Sequence, residues 1–448
     1  MIHPSSTKVS KQVIDIAFIG GLFRTGREQK ILTMARGAAQ SAANALQWEI
    51  VRGLDEQNLQ PTQLINAAFV GSYPKWHREL VIHGTRWQHV PGSVDCDVGF
   101  LNLFGIKHLH RAAALTAPVV RFAKQPSPHQ KALVIYSIHM PFLWAMACAK
   151  HVNPSLLTCL VVPDLPEFMN ISGQTELSYR ILKICDQWLI DKLLNYVDSF
   201  VVLTEAMAKR LKVGSRPFIV MEGIAHLEDH EPPQVVSNQP STMLRTIFYS
   251  GTLAWQYGIG NLIASMASIP GDTLRLQICG AGQAQEAILK AAQKDPRIQF
   301  LGLLPHHEVL VKQRQATLLV NPRTNEGEYT RYSFPSKTME YLGSGRPLVA
   351  YKLDGIPSEY DAYIHYVKGN TPEALAGAIT ELLSLSEVEL TQRGEAARSF
   401  VMAHKNRNVQ ANRILALLGD HKSTPYKIRH LVDTQRNPSL SFWLRSLF

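Results

Sequence analysis

One segment in the second half of the chain reads Arg331-Tyr-Ser-Phe-Pro-Ser-Lys-Thr-Met-Glu-Tyr-Leu-Gly-Ser-Gly-Arg-Pro347, and the apolar Leu348-Val-Ala350 follows it. Pro335 has no amide hydrogen, so it suits the first turn of a helix. Gly343 suits the end of a helix, and Pro347 prevents its continuation. The pattern therefore predicts a short helix between two loops, with an apolar run after it.

Three polar residues share one side of this predicted helix, because Ser336 and Lys337 lie four and three positions before Glu340. The amino end of a helix attracts phosphate through its exposed amides and its dipole, and Lys337 adds a positive charge. A carboxylate one turn later can accept hydrogen bonds from a sugar diol. The segment therefore suits a nucleotide-sugar pocket, although an ordinary Lys–Glu pair on a solvated helix has the same spacing.

The same segment resembles the donor-site motif of glycosyltransferase family 4, Ser/Phe-Pro-x-Lys-x-x-Glu-Tyr-x-x-x-Gly-x-Pro-Val. The resemblance extends over roughly residues 246 to 362, where further segments occur in the family's order: Phe248–Leu253, Leu276–Gly282, Ile298–Leu304, Leu318–Pro322 and Gly355–Tyr360. It implies an α/β protein with the GT-B fold, in which two Rossmann-like doubly wound domains face a central cleft.

The resemblance also implies roles for individual residues in binding the donor. Lys337 and Arg331 would hold the diphosphate, Glu340 the ribose, and the base would lie near Leu303 and Leu304. The full set of predicted donor-binding residues is Gly20, Gly21, Gly251, Thr252, Gly280, Leu304, Glu328, Tyr332, Pro335, Ser336, Lys337 and Glu340.

This sequence departs from the family pattern at two places. Tyr332 occupies the position of the first of two family glutamates, and Glu326 and Glu328 just upstream are the candidates to supply a carboxylate instead. The family also has an Arg or Lys shortly after the strand that ends near Gly251, whereas Trp255–Gly258 contains none. The charge on the diphosphate is then expected to fall on Arg331 and Lys337, or on backbone amides.

The first half of the chain alternates apolar runs with helical patterns, which is typical of a parallel sheet covered on both faces. Gly20 and Gly21 follow the first predicted strand. His139 and Asp164 follow two later strands, where functional groups of open α/β sheets collect. His139 is predicted to contact a sugar or a pyrophosphate, and Asp164 to orient an acceptor hydroxyl or take its proton. A packed histidine and a helix-capping aspartate are the structural alternatives. Asp95-Cys-Asp97 is interpreted as a chance match to a metal motif, and no metal site is predicted.

Composition suggests where one domain ends and the next begins. Residues 229–242 are polar and proline-rich and are predicted to link an acceptor-side domain, 1–228, to a nucleotide-sugar-binding domain, 243–424. The tail, 425–448, contains Phe442-Trp-Leu-Arg-Ser-Leu-Phe448 and is expected either to return to the first domain or to contact a membrane.

Charge and cysteine content limit the partners and the compartment. Lys plus Arg exceed Asp plus Glu by 46 − 36 = 10, and without a nucleic-acid-binding motif this favours an anionic inner-membrane surface over nucleic acid. The predicted membrane-facing residues, for which a solvated basic face is the alternative, are Lys75, Arg78, Arg86, Lys107, Arg111, Arg121, Lys124 and Lys131. Five scattered cysteines and no apolar signal core in the first residues favour the cytoplasm, with peripheral contact to the plasma membrane.

The sequence therefore predicts a glycosyltransferase that uses a nucleotide-diphosphate sugar, a glycan or lipid-linked acceptor, and neither a cofactor nor a metal. The catalytic candidates are Asp164, His139, Lys337 and Arg331. Two alternatives remain at this point. One is an epimerase or a sugar-phosphate-dependent synthase on the same fold, and the other is a catalytically inactive partner subunit, since Tyr332 replaces a glutamate.

Overall fold

The computed structural model describes residues 13–36, 41–169, 177–225 and 244–419. The chain divides into two compact units: the first contains Met1–Val202, Lys212–Ile219 and Ala411–Phe448, and the second contains Leu203–Leu211 and Val220–Gln410. The predicted linker, 229–242, and the predicted tail, 425–448, lie outside the described residues. Residues 411–419 group with the first unit.

The elements up to residue 220 run in this order: β1 Ile14–Gly20, α1 Glu28–Met34, α2 Ser41–Gln57, β2 Gln63–Asn66, β3 Val81–Ile82, β4 Thr85–Trp87, β5 Asp95–Asp97, β6 Phe100–Leu101, α3 Lys107–Lys124, β7 Gln130–Tyr136, α4 Met140–Val152, β8 Leu157–Val162, α5 Pro166–Met169, α6 Leu177–Leu193, β9 Ser199–Val202, α7 Glu205–Arg210 and β10 Phe218–Val220.

The later elements are β11 Arg245–Ser250, α8 Ile259–Ser265, β12 Leu274–Cys279, α9 Gln285–Lys294, β13 Ile298–Gly302, α10 His306–Gln315, β14 Leu318–Asn321, α11 Ser336–Gly343, β15 Leu348–Ala350, β16 Ile364–Tyr366, α12 Pro372–Leu383, α13 Glu387–His404 and α14 Arg407–Gly419.

The first unit is built on a sheet with the strand order β10-β9-β8-β7-β1-β2-β5-β4. Its central strands are parallel, and β4 adds an antiparallel edge through the pair Thr85 and Asp97. The central strands are almost entirely buried, which explains why they read as continuous apolar runs rather than as alternating ones. The prediction of a doubly wound sheet is confirmed, with an added antiparallel edge that the sequence pattern did not indicate.

The second unit contains a six-stranded sheet with the order β13-β12-β11-β14-β15-β16. Its strand pairs are parallel, so the carboxyl ends of β11, β12, β13 and β14 lie along one edge. The helix α11 begins after Pro335 and ends at Gly343, as the proline and glycine pattern predicts. After β16, the chain continues through α12, α13 and α14.

Three of the basic residues predicted to face a membrane are buried instead. Lys107, Arg111 and Lys131 are 7%, 2% and 7% exposed. Their side chains donate hydrogen bonds to backbone carbonyls: Lys107 to Val70, Arg111 to Ala68, and Lys131 to Phe122 and Gln125. Lys107 and Arg111 thus hold the loop after β2, and Lys131 holds the carboxyl end of α3. None of the three meets a surface, so that part of the prediction is wrong. Within the described residues no helix has both the length and the apolarity needed to cross a bilayer.

A charged histidine ties α2 to the edge of the first sheet. His89 Nε2 lies 2.8 Å from Asp55 Oδ2, and His89 Nδ1 lies 2.8 Å from Asp95 Oδ2. Burial opposes a charge on this ring, but the hydrogen bonds to the two carboxylates outweigh it and raise the pKa of His89 to about 9. The aspartates of the Asp-x-Asp sequence are used inside the fold, since Asp97 accepts from Asn66 and Thr85.

The raised pKa of His89 makes stability depend on pH in a defined window. The imidazolium stabilises the fold fully below the ordinary histidine pKa, and this contribution disappears as the pH rises from about 6.5 to about 9. We expect the His89→Gln variant to lose up to about 3 kcal/mol at pH 6 and much less above pH 9. Thermal unfolding across this range measures the difference. His151→Gln, at an exposed histidine of the same unit, is the control, and parallel pH profiles for wild type and His89→Gln would contradict the assignment.

Candidate functional site

The position of α11 is set by one buried hydroxyl. Tyr341 donates a hydrogen bond to Ser250 O at 3.0 Å and accepts one from Ser250 N at 2.8 Å. The side chain is fully buried, and burial raises the pKa of Tyr341, so the phenol keeps its proton and can donate. The pair holds α11 beside the carboxyl end of β11, directly before Gly251.

Glycines bring the loops after β11 and β12 into direct backbone contact. Gly251 N donates to Cys279 O at 3.1 Å, and Leu253 N donates to Ala281 O at 2.9 Å. Gly280 has φ of +144°, and a Cβ at this position would lie 1.9 Å from Gly251 O. The predicted residues Gly251, Thr252 and Gly280 therefore lie together, and the absence of a side chain at Gly280 allows the two loops to approach this closely.

The loop after β13 joins the same edge. Gly280 N donates to Gly302 O at 2.9 Å. Cys279 is close to both Leu304 and Lys337: burial raises its thiol pKa, and the Leu304 backbone and the Lys337 charge oppose that rise. The structure thus places the Leu304 backbone next to Cys279 at the end of β12, and Cys279 within electrostatic range of Lys337 in the first turn of α11.

Glu340 is held in place by two donors. Lys337 Nζ lies 2.7 Å from Glu340 Oε1, and Gln313 Nε2 on α10 donates to the same oxygen. Gln313 also donates to Ser250 Oγ at 3.2 Å. The Glu340 side chain is 18% exposed, and within the described residues no hydrogen bond reaches Oε2. One carboxylate oxygen therefore fixes the side chain, and the lone pairs of the other are not used by the described residues.

The short 3₁₀ helix Glu328–Tyr332 carries three predicted residues at its two ends. Arg331 Nη2 lies 3.7 Å from Asp354 Oδ2, and both side chains are about half exposed. The Tyr332 hydroxyl donates to Glu328 Oε1 at 3.3 Å, and Glu328 is exposed. Tyr332 thus stands where the family has a carboxylate and contacts one of the two glutamates proposed to replace it. No contact within the described residues links Arg331 to Glu340.

Sequence reasoning missed Arg323, which follows β14 and Pro322. Its guanidinium lies over the rings of Tyr257 and Tyr329 at 5.3 and 4.7 Å, and its Nη2 donates to Ser333 Oγ at 3.0 Å. Its Nε is buried, and within the described residues it has no hydrogen-bond partner. Arg323 therefore brings a positive charge to the loop Trp255–Gly258, in which the sequence itself has none. The signal in the sequence was an arginine directly after the carboxyl end of a buried strand.

In the first unit, packing is sufficient to explain the glycine pair after β1. A Cβ at Gly20 would lie 2.4 Å from Gln47 Oε1, and one at Gly21 would lie 2.3 Å from the Phe69 ring. The amide of Gly21 donates to Gln47 Oε1 at 2.8 Å. The following amides of Leu22 and Phe23 are likewise used by side chains of the same unit. A contact of Gly20 and Gly21 with a donor stays a prediction.

His139 and Asp164 lie after β7 and β8, which are adjacent strands of the first sheet. The His139 ring packs against Phe69 and Phe142 at centroid distances of 5.7 and 4.7 Å. Burial lowers the pKa of His139 well below its ordinary value, so the ring is neutral, and its Nδ1 is buried without a partner in the described residues. Asp164 is exposed, and its charge reinforces burial in raising the Tyr136 pKa. The two predicted residues share one edge of the sheet.

Comparison with known proteins gives a match to a family model over part of the chain and a fold over most of it. Residues 244–385 match the model of the family described as glycosyl transferases group 1. This match covers the loops around Gly251 and Gly280 as well as α11. No curated protein sequence matches the chain.

Three solved structures are similar over most of the chain. The sucrose-phosphate synthase from Thermosynechococcus elongatus has a TM-score of 0.59 at 16% identity, covering 91% of this chain and 99% of that one. The lipopolysaccharide outer core galactosyltransferase WaaB, in its apo form, has a TM-score of 0.57 at 12% identity, covering 91% and 99%. HepE from Anabaena, in complex with UDP, has a TM-score of 0.50 at 12% identity, covering 91% and 100%. The predicted GT-B fold is confirmed.

The glycine contact between the loops can be tested by adding one methyl group. We expect Gly280→Ala to reduce the free energy of unfolding by about 2 kcal/mol or more, because the new Cβ meets Gly251 O and the backbone has a positive φ. Thermal unfolding measures this loss. Gly377→Ala is the matched control, since a Cβ at Gly377 in α12 has open space, and alanine favours a helix. An unchanged melting temperature for Gly280→Ala would show that the loops can separate without cost.

Proposed function

We propose that the protein is a family 4 glycosyltransferase that transfers a sugar from a nucleoside diphosphate sugar to a hydroxyl of a glycan or lipid-linked acceptor in cell-surface polysaccharide synthesis. The observation that carries the proposal is the fixed carboxylate of Glu340, whose Oε2 is open beside the amino-terminal turn of α11. The group 1 match over residues 244–385 supports the same reaction class.

The second unit is proposed to bind the donor. Thr338 N already donates to Pro335 O at 2.8 Å. The two preceding amides, of Ser336 and Lys337, have no acceptor within the helix and suit a diphosphate, and the Lys337 side chain adds a positive charge. Glu340 Oε2 would accept hydrogen bonds from the two ribose hydroxyls. The nucleobase would lie near Leu304, after β13. The UDP in the HepE structure makes uridine diphosphate the first ligand to test.

Arg323 is proposed to supply the positive charge that the family has in the loop after β11. Negative charge builds on the diphosphate as the bond to the sugar breaks, and a preorganised cation stabilises it in that state. Stacking between Tyr257 and Tyr329 fixes the guanidinium before a ligand arrives. Because Arg323 and Lys337 together offer two positive charges at the diphosphate, we propose that the reaction proceeds without a metal ion.

The first unit is proposed to bind the acceptor. Asp164 is exposed and can accept the proton of an acceptor hydroxyl, and the neutral ring of His139 can donate or accept a hydrogen bond nearby. The acceptor, and with it a peripheral location on an anionic membrane surface, follows from the family resemblance rather than from these contacts.

The ribose contact can be tested by a thermodynamic cycle that combines one change in the ligand with one substitution in the protein. We expect wild type to bind uridine diphosphate about tenfold more tightly than its 2′,3′-dideoxy analogue, because the analogue cannot bond to Glu340. Glu340→Gln should remove most of this preference. Calorimetric titration of both ligands against both proteins gives the coupling.

Two comparisons make this experiment decisive. Glu286→Gln breaks an exposed Glu–Lys pair on α9 and should leave the tenfold preference intact. If Glu340→Gln keeps the preference of wild type for the ribose hydroxyls, the assignment of Glu340 is wrong. If no nucleoside diphosphate among those of uridine, thymidine, guanosine and adenosine binds wild type, the donor site itself is rejected.

The role of Arg323 can be separated from general loss of binding by comparing ligands with and without phosphates. We expect Arg323→Ala to weaken uridine diphosphate binding about tenfold while uridine binding changes less than about twofold. Arg323→Lys should recover only part of the loss, because a lysine lacks the planar fork held by the two tyrosines. Arg393→Ala, at an exposed residue of α13, is the control for the loss of one positive charge. Equal losses for uridine and its diphosphate would assign Arg323 a structural role only.

A further inference from the structure

Two adjoining segments of the first unit expose a group of large apolar side chains. We call this group the docking face, and it consists of Trp76, Leu80, Val81, Phe104, Ile106 and Leu109. Phe104 and Leu109 are each 66% exposed. Single exposed apolar residues are common on soluble proteins, but six on two neighbouring segments form a patch of the kind that binds a partner or a membrane.

Backbone hydrogen bonds join the two segments into one surface. Tyr73 N donates to Asn102 O at 2.9 Å, and Asn102 N donates to Leu80 O at 2.7 Å. In the antiparallel pair of β3 and β6, Val81 lies opposite Leu101. The two segments that carry the docking face are therefore joined into a single hydrogen-bonded platform.

The platform is held from beneath by buried polar side chains. Asn102 is fully buried and donates to Gly71 O and Glu79 O at 2.8 and 3.2 Å. Lys107 donates to Val70 O, and Arg111 donates to Ala68 O at 3.0 Å. These bonds fix the backbone under the docking face, so the exposed side chains are presented by an ordered surface and not by loose loops.

The charges on the two segments favour an anionic partner. Lys75 and Arg78 are exposed beside Trp76, and the Lys75 ammonium lies 5.1 Å from the centre of the Trp76 ring. Glu79 is the one acidic residue in the two segments. It forms an ion pair with Lys30, in which Lys30 Nζ lies 2.9 Å from Glu79 Oε1. After Asp97 the sequence has no Asp or Glu until Asp164. Apolar tips with a basic rim complement the surface of an anionic bilayer.

We propose that the docking face binds the protein to a bilayer that contains anionic lipids. The aliphatic and phenyl side chains enter the acyl boundary, Trp76 lies at the headgroup level, and Lys75 and Arg78 meet lipid phosphates. A second copy of the chain is a poorer occupant, because joining two identical faces brings like charges together. A soluble glycan offers few apolar groups to Phe104, Ile106 and Leu109.

The docking face adjoins the edge of the first sheet on which His139 and Asp164 lie. Lys107 donates a hydrogen bond to Val70 O, and Phe69 is the residue before Val70. The centre of the Phe69 ring lies 5.7 Å from the centre of the His139 ring. Membrane binding through this face therefore keeps that edge near the bilayer surface, where a lipid-linked acceptor is concentrated. The binding itself does not depend on the proposed sugar transfer.

Vesicle flotation of the full chain tests the inference. We expect wild type to bind vesicles of phosphatidylcholine with phosphatidylglycerol at least about tenfold more strongly than phosphatidylcholine alone, and added salt should weaken the binding. Phe104→Glu combined with Leu109→Glu should reduce binding to the mixed vesicles by about tenfold or more, because it removes two inserting side chains and adds two negative charges.

The control variant makes the same charge change elsewhere. Leu59 and Val388 are 74% and 65% exposed apolar residues outside the docking face. Leu59→Glu combined with Val388→Glu should therefore change binding less than about twofold. Equal losses for the two double variants would show that net charge alone governs binding, and no binding of wild type to the mixed vesicles would also overturn the inference.

Trp76 provides a second measurement that requires no disruptive change. In vesicles made with brominated lipids the fluorescence of wild type should be quenched, and Trp76→Phe should lose most of that quenching although six other tryptophans remain of the seven. Unchanged quenching in Trp76→Phe would place another surface on the bilayer. A concentration-dependent dimer that Phe104→Glu with Leu109→Glu abolishes would instead assign the face to a second copy.

Discussion

The candidate donor site depends on the pair of hydrogen bonds between the Tyr341 hydroxyl and the backbone of Ser250. These bonds are made in the core of the second unit, where an unsatisfied phenol or amide would be costly. They fix both the distance and the rotation of α11 relative to the end of β11. Because a helix is rigid, fixing Tyr341 also fixes Lys337 and Glu340, which lie on the same helix and face the adjoining loops. The amino end of α11 and the glycine turn at Gly251 are thus parts of one arrangement.

Charge in this region is organised by contacts between different elements. Gln313 on α10 and Lys337 on α11 converge on one oxygen of Glu340, so the carboxylate is oriented before a ligand binds. Arg323 is oriented in a similar way by the rings of Tyr257 and Tyr329. Both groups are preorganised, which reduces the entropy lost when a ligand binds. Under the proposed function, the Arg323 cation would be in place for the charge that develops on a leaving diphosphate.

Buried cations have a different use in the first unit. Lys107 and Arg111 lie on one face of α3 and bind backbone carbonyls of the loop after β2. A basic residue in the sequence therefore does not by itself indicate a basic surface, because a long side chain can reach inward to satisfy carbonyls that no strand pairs. The exposed part of the same region is instead apolar, with Lys75 and Arg78 at its margin. The net charge favoured an anionic partner, but three of the basic residues predicted to contact it are buried.

Proline and glycine determined the limits of α11, and apolar runs determined the alternation of strands and helices, because these patterns act over a few neighbouring residues. The sequence also predicted the GT-B fold through its resemblance to a known family, and Lys337 and Glu340 as donor-binding residues through their spacing on the helix. It did not determine the partner of Gln313, the stacking of Arg323 or the burial of Arg111. Those contacts join residues that lie far apart in the chain, and only the packing of parallel strands brings their loops to one edge. Local pattern fixes the elements, whereas the direction of each long polar side chain is decided by which carbonyl, ring or carboxylate the tertiary structure places within its reach.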